Sequence, residues 1–213
     1  MKIQFENILP FPLAHNQHEE KSVWDRDFVW ESPNKTLLLA VSGKGKSTFV
    51  DILSGVRSDF EGRLLFDARS TSNFTVDDWS YYRTSKISTV YQDLQLFDNL
   101  SILENIQLKN NLTNHFTLDK ISDLINRIGL KDHINKKSKQ LSFGQKQRVA
   151  IVRALAQPFE LLILDEPFSH LDKVNEKLMT EIIMAELESN KAGFILTSLG
   201  DKPMCNIDYE LTL

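Results

Sequence analysis

Residues Leu37 to Gly55 read LLLAVSGKGKSTFVDILSG. The segment opens as an apolar run suited to a buried strand, breaks at Ser42-Gly43-Lys44-Gly45, and resumes with Phe49, Ile52 and Leu53 at helical spacing. In a strand, glycine turn and helix of this kind, successive backbone N–H groups point into one concavity. The helix N-terminus behind them adds partial positive charge, so the loop suits a polyphosphate. The candidate phosphate contacts are Ser42, Gly43, Lys44, Gly45, Lys46, Ser47 and Thr48. Lys46 is expected to reach the β- and γ-phosphates, and the Ser47 hydroxyl to hold Mg²⁺. The phosphate-loop pattern G-x-x-x-x-G-K-[ST] opens with glycine, whereas here Ala40 holds that place. Alanine fits at little cost if φ is negative there, and costs of order 1 kcal/mol or more if φ is positive.

Outward from this stretch, 213 residues with 41% hydrophobic content suffice for a substantial core and one folding unit. A formal net charge of −4 gives no global basic field, so no nucleic-acid partner is expected. Cys205 is the only cysteine, which excludes an internal disulfide and Cys-rich zinc sites and reads as an inert packing residue in a reducing compartment. The N-terminus MKIQFENILPFPL lacks the charged head and continuous apolar core of a signal peptide. No apolar run approaches the ~20 residues of a membrane-spanning helix. The expectation is a soluble, cytoplasmic chain whose membrane role, if any, goes through a partner.

Ile3, Phe5 and Ile8 mark a strand from Lys2 to Ile8, stopped by Pro10 and Pro12. His15 to Lys21 is a polar connection, and Val23 to Trp30 and Lys35 to Val41 bracket the turn Ser32-Pro33-Asn34 as a small antiparallel sheet feeding the phosphate-loop strand. A strand Arg63 to Phe66 follows a break at Gly62; Val76 to Arg83 reads as a short helix and Lys86 to Tyr91 as a short strand. From Leu94 to Gln140 the character turns helical, with Leu118, Ile121, Leu124, Ile125 and Ile128 on one stripe, Thr117 as cap and Gly129 as stop. A long helix starts near Phe143, Glu160 to Asp165 is a buried strand, Lys173 to Ser189 carries Val174, Leu178, Ile182 and Leu187 on one face, and Gly193 to Thr197 is another apolar strand. Alternating strands and helices on either side of the helical insertion predict an α/β core with a mostly parallel sheet.

The chemistry needs a metal-binding acid at the end of a second buried strand, and LLILDEP supplies Asp165 followed at once by Glu166. Asp165 would hold Mg²⁺ opposite Ser47, and Glu166 would orient and polarise the attacking water. Ser142 and Gly144 open a helix whose free N–H groups suit an anion or, in the simpler reading, form an ordinary helix cap. The order AVSGKGKST, VYQD, LSFGQKQRVAIVRAL, LLILDEP, SHLD then resembles the nucleotide-binding subunit of ATP-binding cassette (ABC) transporters from Lys35 to Thr197.

That resemblance implies a P-loop NTPase (RecA-like) α/β core, an N-terminal antiparallel β subdomain and a small helical subdomain. The chain is then one ABC ATPase domain, residues 1–213, with 94–140 as the helical subdomain and 1–93 and 141–213 as the core. By resemblance Gln92 touches Mg²⁺ and the attacking water. Ser142, Gly144 and Gln145 contact the γ-phosphate held by a second nucleotide-binding subunit, in a homo- or heterodimer, and Asp172 communicates across that interface. The helical subdomain and the Gln92 loop receive a membrane permease, which holds the chain on the inner face of the cell membrane. Phe11, with Phe5 as second choice, would stack on adenine; Phe11 packing beside Pro10 and Pro12 is the alternative. Ser198 stands where the family has a histidine that bonds the γ-phosphate. Losing one such preorganised contact typically costs ~3 kcal/mol, so slow hydrolysis is expected. Phe143 also replaces a signature glycine and is expected to point away from phosphate. VYQDLQLFDNLSILENI is similar to the lipoprotein-release, export and cell-division branch, whereas DEPFSHLD is common in importers. The implied function is an ATPase that dimerises on Mg-ATP to drive a separate permease, with a nucleotide-gated clamp regulating a membrane partner as the alternative.

Overall fold

The structure is a computed structural model that describes residues 1–14, 22–41, 43–200 and 202–213. The expected polar connection His15 to Lys21 and the candidate Ser42 lie outside the described residues.

Two sheets form. The strands β1 (Lys2–Pro10), β2 (Phe28–Glu31), β4 (Phe60–Phe66) and β5 (Arg69–Ser70) make an antiparallel sheet in the order β2-β1-β4-β5. The strands β3 (Lys35–Leu39), β6 (Ile87–Val90), β7 (Leu161–Asp165), β8 (Gly193–Ser198) and β9 (Tyr209–Thr212) make a parallel sheet in the order β6-β7-β8-β3-β9. Every residue of β7 and β8 is buried, as the near-continuous apolar runs of central parallel strands require. Helices α1 (Lys46–Leu53), α2 (Val76–Ser85), α3 (Ile102–Asn110), α4 (Leu118–Arg127), α5 (Phe143–Leu155) and α6 (Lys173–Asn190) complete the chain.

Burial falls into two apolar clusters. One joins Phe5, Phe49 and Phe66 to the inner face of the parallel sheet through Leu38, Ile163 and Ile195. The other packs α4, α5 and α6 on the opposite face through Leu162, Leu164 and Leu196. Parallel register aligns Asp165 with Thr197, and Leu39 with Ser198. The C-terminal ends of three adjacent strands therefore open at one edge, where α/β sheets bind their ligands.

Four expectations are corrected. The strand in Val23 to Trp30 is only Phe28–Glu31 and pairs with β1, not with β3, because Val23 and Trp24 turn inward to the core instead. Gly62 does not break the chain before a strand. It lies inside β4 at φ 88°, opposite a register shift in β1, where a Cβ would come within 2.3 Å of the Asn7 carbonyl oxygen. Val174 and Leu118 leave the apolar stripes of their helices and are 80% and 65% exposed, while Met179 and Ile183 are buried in α6. Finally β9, which closes the sheet beside β3, was not expected, since YELT carries no continuous apolar run.

Candidate functional site

The chain leaves β3 through Ala40, whose N–H donates to the Ser198 carbonyl at 3.2 Å. Ala40 is not among the residues with positive φ, so no glycine is needed at that position. The turn proper uses Gly43 at φ 82° and Gly45 at φ 100°. Gly45 is also the N-cap of α1 and brings no side chain to its first-turn N–H groups. A Cβ there would lie 2.6 Å from Leu13 Cδ1 and 3.2 Å from the Trp24 ring. Trp24 Nε1 in turn donates to the Lys44 carbonyl at 3.4 Å, so Leu13 and Trp24 form the outer wall of the loop. Ser47 is exposed, and Thr48 Oγ1 accepts from Arg57 at 3.4 Å.

Lys46 is 8% exposed and spans the mouth of the loop. Its Nζ donates to the Ala40 carbonyl at 3.0 Å and lies 3.3 Å from Glu166 Oε1. The other carboxylate oxygen, Glu166 Oε2, accepts from Gln92 Nε2 at 3.3 Å. Glu166 has φ 48°, a left-handed conformation unusual for a non-glycine residue. Three groups hold it there: its N–H donates to Thr197 Oγ1 at 3.2 Å, and its carbonyl accepts from Gln147 Nε2 at 3.2 Å and Ser169 Oγ at 3.1 Å. Asp165, 3% exposed, accepts from Thr197 Oγ1 at 2.6 Å. Burial pushes its carboxyl pKa up, against the Thr197 hydrogen bond and the Lys46 charge.

A cleft of about 270 Å³ is lined by Leu13, Gly43, Gly45, Lys46, Ser47, Thr48, Gln92 and Glu166. A second cleft shares Ser47 and Gln92 and adds Asp51, Asp93 and Asp165. Among the described residues no group of three His, Cys, Asp or Glu side chains could hold a metal alone. A hydroxyl, an amide oxygen and a carboxylate are nevertheless the hard, incomplete oxygen set that suits Mg²⁺ when phosphate oxygens complete its shell.

The remaining sequence-predicted residues line neither cleft. Ser142 and Gln145 form a capping box on α5: Ser142 Oγ accepts from the Gln145 N–H at 3.3 Å, and Gln145 Oε1 accepts from the Ser142 N–H at 2.9 Å. A Cβ on Gly144 would lie 3.0 Å from the His170 carbonyl oxygen. Asp172 caps α6 by accepting from the Asn175 N–H at 2.8 Å, which holds its carboxyl below the usual range. Ser198 ends β8 at 8% exposure; its Oγ accepts from the Gly200 N–H at 3.2 Å, and it lines a small cavity with Glu166. Phe11 is 55% exposed two residues before Leu13, whereas Phe5 is buried and stacked on Phe28 at 3.9 Å, out of reach of any base. Sequence reading missed Leu13, Trp24, Thr197 and Gln147. Only Thr197, beside Ser198 at a strand end, left a signal.

Residues 27–169 match the family model described as ABC transporter. The chain belongs to the ABC transporter family. An ABC relative 34% identical over 76% of this chain and 72% of its own is the lipoprotein-releasing system ATP-binding protein LolD of Buchnera aphidicola subsp. Schizaphis graminum. The thiamine import ATP-binding protein ThiQ of Aliivibrio fischeri is 32% identical over 83% of this chain and 74% of its own. Among solved structures, a dimeric post-hydrolysis state of the ATP-binding cassette MJ0796 bound to ADP and Pi superposes with TM-score 0.76 at 25% identity, covering 92% of this chain and 87% of that one. The chain is an ATP-binding, ATP-hydrolysing subunit of an ABC transporter on the P-loop α/β fold.

Proposed function

We propose that two such chains close head to tail on two ATP molecules and open after hydrolysis, driving a separate membrane permease that holds them at the inner face of the membrane. The observation that carries this reading is the convergence of Lys46, Glu166 and Gln92 on one cleft with the glycine turn and Ser47. Gly43, Lys44, Gly45 and the first N–H groups of α1, with Ser42 and Thr48, cradle the phosphates, and Phe11 stacks on the base. Ser47, Gln92 and Asp165 would hold Mg²⁺, which supplies charge neutralisation at the β- and γ-phosphate oxygens.

Lys46 Nζ is paired with Glu166 Oε1 at 3.3 Å. Phosphate is the stronger partner for a lysine at this position, so binding withdraws Lys46 and frees the Glu166 carboxylate to take a proton from the attacking water. Gln92 keeps that carboxylate aimed. Ser142, Gly144 and Gln145 at the start of α5 face the second chain's γ-phosphate, and Asp172 lies at the same interface. Residues 94–140 form the helical subdomain that receives the permease. Ser198, shorter than a histidine and uncharged, gives the γ-phosphate weaker support than an imidazole would, and turnover is slow. The same serine favours a second reading, a nucleotide-gated clamp on a membrane partner; strong stimulation of turnover by that partner would exclude it.

The test is Glu166→Gln with Mg-ATP. Steady-state phosphate release should fall by about 10²-fold or more, and sedimentation should show a dimer with Mg-ATP but not with Mg-ADP. Wild-type turnover in this variant would refute the assignment of the base.

A further inference from the structure

A basic residue in the last turn of a helix is favoured by the helix dipole alone, and Arg153 holds such a place near the end of α5. Its guanidinium, however, leaves the helix. One terminal nitrogen, Nη1, donates to the Gln95 carbonyl and the other, Nη2, to the Leu94 carbonyl, both at 2.7 Å. Arg153 is half-buried, and burial pushes its pKa down against the charge of Asp93. The fork is thus kept at a desolvation cost and spent on two backbone carbonyls of the loop that follows Gln92.

That loop has an unusual backbone. Leu94 and Gln95 have φ 61° and 46°, consecutive left-handed residues neither of which is glycine. Extended backbone points successive carbonyls to opposite sides, whereas this conformation turns both to one side, where a planar fork can take them together. The Leu94 N–H donates to the Tyr91 carbonyl at 2.9 Å and the Gln95 N–H to the Asp93 carbonyl at 2.7 Å, so residues 91–95 form one tight turn with Gln92 inside it. The Gln92 side chain is exposed and reaches Glu166 Oε2 at 3.3 Å, a longer contact than either guanidinium bond. Strained backbone persists only where its surroundings dictate it. Here the surroundings are the Leu94 side chain, 3% exposed in the core, and the Arg153 fork on the carbonyls.

We propose that Arg153 is a positioning residue for Gln92: by gripping the Leu94 and Gln95 carbonyls it locks the left-handed turn that aims the Gln92 amide at Glu166. It rests on the role given to Gln92 above. Leu94 alone pins the turn at one point and leaves it free to rotate about that anchor. The two carbonyl bonds remove the rotation, and Gln92 stays in the cleft it shares with Ser47 and Asp165. Without the fork the pair relaxes to negative φ, and the Gln92 amide swings off Glu166 while the phosphate loop and Lys46 keep their places.

The test is a cycle of Arg153→Met, Gln92→Ala and the double variant. Arg153→Met keeps an unbranched stem and removes the donors. It should lower kcat about 10- to 10²-fold with the KM for ATP unchanged, and by no more than Gln92→Ala does. With Gln92 truncated there is nothing left to aim, so the double variant should turn over at the Gln92→Ala rate. Losses that multiply would show that Arg153 acts elsewhere and would overturn the proposal. Gln92→Ala at the wild-type rate would instead refute the role given to Gln92, and the proposal with it. Hydrogen exchange on the chain without nucleotide reads the grip independently of turnover. Arg153→Met should speed exchange at the Leu94 and Gln95 amides and leave those in the middle of α5 unchanged; wild-type protection at both loop amides would overturn the grip. Arg153→Lys, a point charge that reaches one carbonyl but cannot fork across two, should fall between in both measurements, and it carries the same cycle should Arg153→Met fail to fold. Wild-type behaviour in Arg153→Lys would show that charge alone suffices and would overturn the role of the fork.

Discussion

The Lys46–Glu166 pair makes a thermodynamic prediction that does not require a dimer. Both side chains are 8% exposed and their charged atoms are 3.3 Å apart. At an effective dielectric of about 20, two unit charges at that distance attract by about 5 kcal/mol, against a desolvation cost of several kcal/mol per ion. The net value of the pair is therefore small, but the cost of breaking it from one side is not. Glu166→Gln leaves Lys46 charged, buried and without a counter-charge. A stranded buried charge costs about 3–5 kcal/mol. Here Lys46 keeps its bond to the Ala40 carbonyl at 3.0 Å, and the introduced amide oxygen still accepts, so about 1–3 kcal/mol is expected.

Nucleotide binding gives Lys46 a phosphate in either protein, so the penalty falls on the free form alone. The same about 1–3 kcal/mol must then reappear as tighter binding, about 5- to 150-fold in Kd. ADP is the right ligand, because its β-phosphate still engages Lys46 while dimer formation is left out. Calorimetric titration of Glu166→Gln with Mg-ADP should show the gain. Thermal unfolding without nucleotide should show a Tm about 2–10 °C below wild type, a gap that closes at saturating ADP. Weaker ADP binding, or an unchanged Tm without nucleotide, would refute the idea that Glu166 competes with phosphate for Lys46.

Two further outcomes follow from neighbouring contacts. Gly45→Ala adds a Cβ at φ 100°, 2.6 Å from Leu13 Cδ1, so it should cost about 1–3 kcal/mol of stability and most ATP affinity. Adding Leu13→Ala should relieve the clash but not the backbone strain, so unfolding of the double variant should recover only in part; full recovery would assign the whole effect to the clash. Cys205 is half-buried, and burial pushes its thiol pKa up against the opposing charge of Lys35, so at a given pH less of it is thiolate than in an exposed cysteine. Alkylation in the folded protein should therefore be slower than in denaturant near pH 8, and the midpoint of its rise with pH should lie above that of the denatured thiol, about 8.5. A folded-state rate matching the denatured one would show that the thiol is not shielded.

The parts of the fold that were readable from sequence are those where one residue pattern has a single physical solution. LLILD is apolar throughout because β7 is covered on both faces, and Gly43 and Gly45 mark a turn because the backbone there has positive φ. The stripe Ile121, Leu124, Ile125 with its Thr117 cap defines α4 for the same reason. What was hidden depends on partners distant in sequence. YELT becomes a strand only because β3 offers it an edge, and Gly62 is tolerated within β4 because β1 shifts register beside it. Leu13 and Trp24 wall the phosphate loop from residues twenty or more positions upstream, without any local pattern to announce it. Thr197 announces itself only by its place beside Ser198 at a strand end, and the parallel register of β7 and β8 is what sets its hydroxyl on Asp165.

On the reading proposed above, the same distinction divides the candidate site into a half assembled within one chain and a half completed by a second. Lys46, Gln92, Asp165 and Glu166 sit at the ends of adjoining elements of one sheet, and folding alone brings them within bonding distance. Ser142 and Gln145 instead satisfy each other in a capping box, and Asp172 spends its carboxylate on the first turn of α6. A capping serine uses its oxygen as an acceptor and keeps its hydroxyl proton to give, so α5 remains capped while that proton and the unpaired N–H groups of its first turn reach an anion. In the proposed assembly that anion is the second chain's γ-phosphate. Its arrival costs neither helix a cap, and the phosphate that draws Lys46 away from Glu166 also supplies the contact that joins the two chains.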